Sequence, residues 1–125
     1  DLRMSRGLGD VYKRQMYDRF HDGEYDMHQD CIELIGGTPE ELPEEYKKRS
    51  AVCWADKIIP PVLICQGTAD WRVIPEQAYK MDRALTAAGK EHKLIVYEGA
   101  DHSLQGTNYT KDVLDWFAAH PLPEE

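Results

Sequence analysis

The sequence has few of the residues that a disulfide framework, a zinc site or a nucleic-acid-binding surface requires. Its three cysteines, Cys31, Cys53 and Cys65, are odd in number and none stands in a C-x-x-C pair, so neither disulfides nor zinc are favoured. Lysine and arginine account for only 15 of the 125 residues, against 23 aspartates and glutamates, and the net charge is −8. Because such a surface repels phosphate, we expect no nucleic-acid partner and no anionic membrane partner.

Long hydrophobic runs are missing as well. No apolar run approaches the roughly 20 residues that cross a bilayer, and no secretory signal with a continuous apolar core is present. The sequence also has no glycine-rich phosphate loop and no H-E-x-x-H pair of histidine ligands. We therefore expect a soluble protein of the cytoplasm or periplasm that binds no metal and no cofactor. Its compartment and its oligomeric state stay open.

The central part of the sequence, residues 61–102, has the pattern of a strand, a helix and a second strand. Pro61–Cys65 is a continuous apolar run, typical of a strand buried on both faces of a parallel sheet. Helical spacing follows over Pro75–Ala88, Gly89 ends it, and Leu94–Tyr97 is the second strand. A unit of this length forms a right-handed crossover, which makes the strands parallel and adjacent. The predicted buried stripe of the helix consists of Ala78, Met81, Leu85 and Ala88.

An acid and a histidine follow the two predicted strands. Asp70 ends the segment Gly67–Asp70, and His102 ends the segment Gly99–His102, so both are expected at the carboxyl edge, where open α/β sheets bind ligands. A carboxylate that accepts the imidazole Nδ1–H fixes the tautomer of a catalytic base. Each residue alone is explained as a turn former or a solvated histidine, but the ordered pair favours catalysis. Asp101 is the alternative acid, disfavoured because adjacent side chains tend to diverge.

The remaining elements are predicted from helix start and stop signals. We expect a helix over Glu24–Leu34, two short helical turns over Thr38–Arg49 broken at Pro43, and a connecting loop over Ser50–Asp56. Asn108 is expected to cap a last helix. The predicted apolar face of that helix consists of Val113, Trp116 and Phe117.

Several segments together resemble a known family. They are Gly36–Glu40, Pro43–Tyr46, Pro61–Ile64, Gly67–Val73, Ala84–Gly89 and Val96–His102. In these segments the chain is similar to the C-terminal part of the catalytic domain of the prolyl oligopeptidase family of serine peptidases, which includes dipeptidyl and acylaminoacyl peptidases. The resemblance implies an α/β-hydrolase fold, parallel strands with crossover helices, a peptide or small ester substrate, and roles as triad acid and base for Asp70 and His102. The sequence departs from the family at Gln66, often histidine, and at Ser103, often glycine.

The nucleophile of such an enzyme is absent from the sequence. An α/β hydrolase carries it in a Gly-x-Ser-x-Gly turn, whereas Ser5, Ser50 and Ser103 all lie in other contexts and no cysteine has flanking glycines. We therefore expect residues 16–125 to be the C-terminal part of a hydrolase domain, inactive without the remainder. Residues 1–15 are basic and aperiodic, and are interpreted as a leader or assembly scar.

Two other functions stay open. The same acid and base serve an enzyme that cleaves esters, such as a carboxylesterase or a dienelactone-hydrolase-like protein. Alternatively, the chain is a non-catalytic α/β interaction module in which Asp70 and His102 have no chemical role. An apolar sheet edge left unpaired in such a module is an aggregation hazard, which counts against it.

Overall fold

The computed structural model describes residues 27–122, and the leader predicted at residues 1–15 lies outside this range. The chain divides into two compact units, one that ends at Lys57 and one that begins at Ile58. The first contains helix α1 (Met27–Ile35), helix α2 (Pro43–Lys48) and a 3₁₀ segment (Ala51–Lys57); the second contains strand β1 (Val62–Gly67), helix α3 (Pro75–Ala87), strand β2 (His92–Tyr97) and helix α4 (Tyr109–Ala119).

The first unit has a small core in which Tyr46 of α2 packs with Cys31 of α1. Tyr46 is buried, and its hydroxyl donates to the carbonyl of Gly37 at 2.9 Å. Of the two helical turns predicted over Thr38–Arg49, the second is α2, which begins at the predicted break, Pro43. Glutamates lie in its first turn and lysines in its last, an order that complements the helix dipole. The beginning of the predicted helix at Glu24 lies outside the described residues.

The prediction of a connecting loop over Ser50–Asp56 is wrong, because all of it after Ser50 lies in the 3₁₀ segment Ala51–Lys57. The Ser50 hydroxyl is buried and donates to the carbonyl of Tyr46 at 2.8 Å, while the Cys53 N–H donates to the Ser50 carbonyl. The Trp54 indole N–H lies 3.1 Å from each of the last two carbonyls of α2. These bonds satisfy carbonyls that a helix end leaves without intrahelical partners, so the turn continues.

The second unit contains the predicted strand–helix–strand crossover. Strands β1 and β2 are parallel, with the register running from Val62 opposite His92 to Gly67 opposite Tyr97. Both strands are longer than the apolar runs indicated: β1 continues through Gly67, and β2 begins at His92. The extension follows from backbone pairing, which requires no apolar side chain and begins with the Val62 N–H donating to the Glu91 carbonyl. The predicted α/β class is confirmed.

A helix covers each face of the two-stranded sheet. The His92 ring contacts Asp82 of α3, whereas the Tyr97 hydroxyl donates to Asp112 of α4 at 2.6 Å. Side chains five positions apart on a strand point to opposite faces, so α3 and α4 lie on opposite sides. Three residues of the buried stripe predicted for α3 are buried, namely Ala78, Met81 and Leu85. The fourth, Ala88, is only partly buried.

Helix α3 ends as the Gly89 stop signal predicts. Gly89 has φ +68°, its N–H donates to the carbonyl of Thr86, and the next N–H, of Lys90, donates to the carbonyl of Leu85. This is the Schellman arrangement, in which glycine takes the left-handed conformation without a steric penalty. The chain is thereby turned back into β2.

Helix α4 differs from the prediction in two side chains. Asn108 occupies the N-cap position but its side chain makes no capping hydrogen bond. Phe117, predicted on the apolar face, is 52% exposed. Asp112, Val113 and Trp116 are partly buried, and Phe117 lies about 100° from Trp116 around the helix. The Tyr97 hydroxyl bond to Asp112 turns the Asp112 side of the helix towards the sheet, which is consistent with the exposure of Phe117.

His120, just after α4, gives the unit a pH-dependent contact. Its Nδ1 lies 2.9 Å from the Trp116 carbonyl and its Nε2 lies 2.7 Å from a Glu91 carboxylate oxygen. Both contacts raise the pKa of His120 above its ordinary value of 6.5, and the bond to the Trp116 carbonyl has the larger effect. The stabilisation is therefore complete below that value and is lost as pH rises through the higher folded-state pKa.

We expect the melting temperature of the chain to fall as pH rises above 6.5 and through the higher folded-state pKa of His120, and to fall less in His120→Gln. Thermal unfolding followed by circular dichroism over this range measures the effect. The difference between the two proteins isolates His120, because all other histidines are present in both. Equal slopes would contradict the assignment.

Candidate active site

Asp70 is held in a turn directly after β1. One carboxylate oxygen, Oδ1, accepts the backbone N–H groups of Arg72 and Val73, each at 2.9 Å. A short acid that bonds backbone groups two and three residues ahead is a stable turn former. Asp70 is 8% exposed, and its second oxygen, Oδ2, is left for another donor.

That donor is the ring of His102, 32 residues later in the sequence. Its Nδ1 lies 2.9 Å from Asp70 Oδ2. Because an ionised carboxylate only accepts hydrogen bonds, Nδ1 carries the proton and Nε2 has a free lone pair. The side chain of His102 is 50% exposed while that of Asp70 is 7% exposed. The arrangement has a shielded carboxylate behind the ring and an accessible basic nitrogen in front.

Two other histidines, like His102, contact a carboxylate, and comparison with them shows how His102 differs. His92 pairs with Asp82 and His120 pairs with Glu91, but the Nδ1 of each of these rings also lies against a backbone carbonyl. In both rings every nitrogen is therefore engaged in a structural contact. Among the three histidines paired with carboxylates in residues 27–122, His102 alone has a nitrogen without a hydrogen-bond partner.

The loops that carry Asp70 and His102 are bonded to each other; we call residues 67–70 and 97–102 the paired loops. The Thr68 N–H donates to the Tyr97 carbonyl at 3.1 Å, and the Ala69 N–H donates to the Ala100 carbonyl at 2.9 Å. In the other direction, the Gly99 N–H donates to the Thr68 hydroxyl oxygen at 2.7 Å. The distance between acid and histidine is thus fixed by backbone as well as side chains.

Gly67 allows this close approach. A Cβ at this position would collide with the Ala100 carbonyl and lie 2.8 Å from the Asp101 carbonyl oxygen. Neither Gly67 nor Thr68 has a role predicted from the sequence. A glycine within a strand is a known sign of close backbone approach, so Gly67 had a recognisable signal, whereas the contact of Thr68 had none.

Gln66 and Asp101 stabilise the two loops from within. Gln66 is buried, and its Nε2 donates to the carbonyls of Gly67 and Val73 at 3.0 and 2.9 Å, which closes the turn around the acid. Asp101 accepts the backbone N–H and the hydroxyl of Ser103 at 2.9 and 2.6 Å. The Ser103 hydroxyl bond holds the pKa of Asp101 below its ordinary range. The ring of the histidine therefore pairs with Asp70, and Asp101 is engaged elsewhere.

Other groups near the site are placed as follows. Arg72 is exposed, and its guanidinium carbon lies 5.1 Å from the centre of the Trp71 ring. Cys65 on β1 is partly buried, and burial raises the pKa of its thiol, which disfavours the reactive thiolate. Within residues 27–122 no group of three or more histidine, cysteine or acidic side chains is arranged to hold a metal ion. None of the helices within residues 27–122 combines the length and the apolar character that a membrane span requires.

Comparison with known proteins places this site in context. Residues 5–121 match the Prolyl oligopeptidase family, Peptidase_S9. The uncharacterized peptidase YtmA of Bacillus subtilis (strain 168) is 29% identical over 82 residues, which cover 66% of this chain and 32% of YtmA. A truncated carbohydrate esterase from gut microbiota is 32% identical with a TM-score of 0.65, over 70% of this chain and 32% of that one. A puromycin-hydrolyzing peptidase of Mycobacterium tuberculosis is 28% identical with a TM-score of 0.63, and the match covers 74% of this chain and 13% of that one. The chain thus spans a third or less of each relative.

Proposed function

Because the chain belongs to the prolyl oligopeptidase family, we propose that it supplies the acid and the base of a serine peptidase. The observation that supports this proposal is the contact of Asp70 Oδ2 with His102 Nδ1 at 2.9 Å. It leaves Nε2 basic and accessible, as a general base must be.

The proposed chemistry follows from the two ring nitrogens. His102 Nε2 takes the proton of the serine hydroxyl as its oxygen attacks the peptide carbonyl, and later returns that proton to the leaving amine. Asp70 holds the ring in the required tautomer and balances the charge of the imidazolium. Because the Asp70 side chain is 7% exposed, water screens this charge interaction little.

The serine of this proposal lies outside the 125 residues. Ser50 is buried with its hydroxyl bonded to the Tyr46 carbonyl, and Ser103 is bonded to Asp101. Neither stands in a Gly-x-Ser-x-Gly turn, and neither does Ser5, which precedes the described residues. One donor of the oxyanion hole is the N–H after the nucleophile, so this donor lies with the serine outside the 125 residues.

Covalent labelling tests the proposal. We would prepare the chain and the longer gene product, meaning the protein from the complete open reading frame that contains these codons, and treat both with a fluorophosphonate. The longer product should be labelled on a serine within Gly-x-Ser-x-Gly, located by peptide mass spectrometry, and the 125-residue chain should not be labelled. Labelling of Ser5, Ser50 or Ser103, or hydrolysis of peptides and esters by the chain alone, would reject it.

An ester-cleaving function is the second candidate, and the similarity to a carbohydrate esterase favours it. Asp70 and His102 serve both reactions, since the imidazolium of His102, once it has taken the serine proton, can deliver that proton to either an amine or an alcohol leaving group. Matched peptide amide and ester substrates separate the two. A peptidase should cleave both, whereas an esterase should cleave the ester alone. A protein that cleaves neither and is not labelled would support the interaction module instead.

A further inference from the structure

We infer that the Thr68 hydroxyl is a positioning group for His102, an inference that rests on the proposed function. Thr68 lies in the loop of Asp70, and its Oγ1 accepts the N–H of Gly99 at 2.7 Å. Gly99 lies three residues before His102 in the other loop. In the described part of the chain this is the only side-chain hydrogen bond between the paired loops besides the Asp70–His102 contact itself.

The bond acts at a glycine of the histidine loop. Gly99 has φ +75° and open space within 4 Å of where its Cβ would be, so no side chain of this residue anchors the turn. Glycine visits many backbone conformations at similar energy. The Ala100 N–H donates to the Tyr97 carbonyl at 3.3 Å and closes a turn over Gly99. That bond lies within the histidine loop, and the Thr68 hydroxyl adds a restraint on the same turn from the loop of Asp70.

Water cannot replace this function of Thr68. Gly99 is exposed, so a water molecule can accept its N–H at little energetic cost. A water molecule, however, does not connect the two loops. Loss of the hydroxyl should therefore leave the fold intact and broaden the range of positions that His102 samples relative to Asp70. Catalysis is sensitive to such misplacement.

The test uses Thr68→Val, which keeps the shape and removes the acceptor, and Thr68→Ser, which keeps the acceptor. In the longer gene product we expect Thr68→Val to lower kcat roughly 5- to 30-fold with little change in KM, because the hydroxyl positions the base rather than the substrate. Thr68→Ser should restore kcat. Thr110→Val, on the exposed start of α4, is the matched control and should behave as the wild type.

A second readout is independent of turnover. In ¹⁵N-histidine-labelled protein, the Nδ1 proton of His102 should exchange with water faster in Thr68→Val than in the wild type or in Thr68→Ser. A change in kcat without faster exchange, faster exchange with unchanged kcat, or neither change would overturn the inference. If Thr68→Val loses its far-UV circular dichroism, Thr68→Ala is judged by the same criteria.

This readout also separates the inference from the proposed function. If His102→Ala retains turnover, the proposed function fails, and Thr68→Val still shows whether the hydroxyl holds the ring. If His102→Ala is inactive while Thr68→Val matches the wild type in both readouts, only the role of Thr68 is rejected.

Discussion

Asparagine in place of Asp70 should lower kcat of the longer gene product by about 10⁴-fold while leaving its fold intact. The structure explains why so small a change has so large an effect. Asp70 Oδ1 accepts the N–H groups of Arg72 and Val73, and only the oxygen of an asparagine amide can keep those bonds. Its NH₂ group must then take the place of Oδ2 and point at His102.

The NH₂ group donates to Nδ1 and thereby reverses the tautomer of the ring. Nδ1 becomes the acceptor, the proton moves to Nε2, and Nε2 can no longer take a proton from the serine. Steady-state kinetics with a peptide amide substrate measures the loss. His102→Ala should cause a loss of similar or greater size, because it removes the base itself.

Asp82 offers a matched control within the same chain. It also pairs with a histidine, His92, at 3.0 Å, but near the beginning of β2 and with Lys90 engaging the other nitrogen. Asp82→Asn should therefore change stability without changing kcat by more than about twofold. If Asp70→Asn retains wild-type kcat, or if both variants lose activity equally, Asp70 has no special role.

Alanine in place of Gly67 should separate the paired loops. The added Cβ meets the backbone carbonyls of Ala100 and Asp101, and backbone cannot rotate aside as a flexible side chain does. Overpacking of this kind typically costs about 1–3 kcal/mol and occasionally more. We expect a lower denaturation midpoint together with a loss of activity, because the histidine loop must move away from Asp70.

Gly89→Ala distinguishes this collision from the general cost of replacing a glycine. Gly89 has φ +68° and open space around its missing Cβ, so alanine there incurs only the left-handed backbone penalty of about 1–2 kcal/mol. It lies after α3, before β2 begins. Chemical denaturation and kinetics should show that Gly89→Ala loses stability alone, whereas Gly67→Ala loses stability and activity together. Full activity in Gly67→Ala would show that the two loops tolerate separation.

The architecture around the site was predictable because it follows local rules. The apolar run before Asp70, the stop at Gly89 and the handedness of the crossover together predict two parallel strands. They also bring the loops of Asp70 and His102 to one edge. The structure shows that arrangement, with the carboxylate against the ring.

What escaped prediction depends on contacts between distant segments. The Thr68 bond to Gly99 joins residues 31 positions apart, and no pattern within either loop reveals it. The exposure of Phe117 is consistent with the Tyr97–Asp112 bond, which turns the Asp112 side of α4 towards the sheet and which hydrophobic spacing alone does not contain. Local periodicity predicts elements, and pairwise contacts decide their final orientation.

The most direct test of the account is the acyl-enzyme burst of the longer gene product with a p-nitrophenyl ester, measured by stopped flow. If His102 is the base that activates a serine, the wild type should release about one equivalent of nitrophenol before steady state. His102→Ala should show no burst. His120→Gln is the control, because both ring nitrogens of His120 are engaged in structural contacts, and this variant should retain the burst. A burst of wild-type rate and amplitude in His102→Ala would contradict the assignment of His102 as the base.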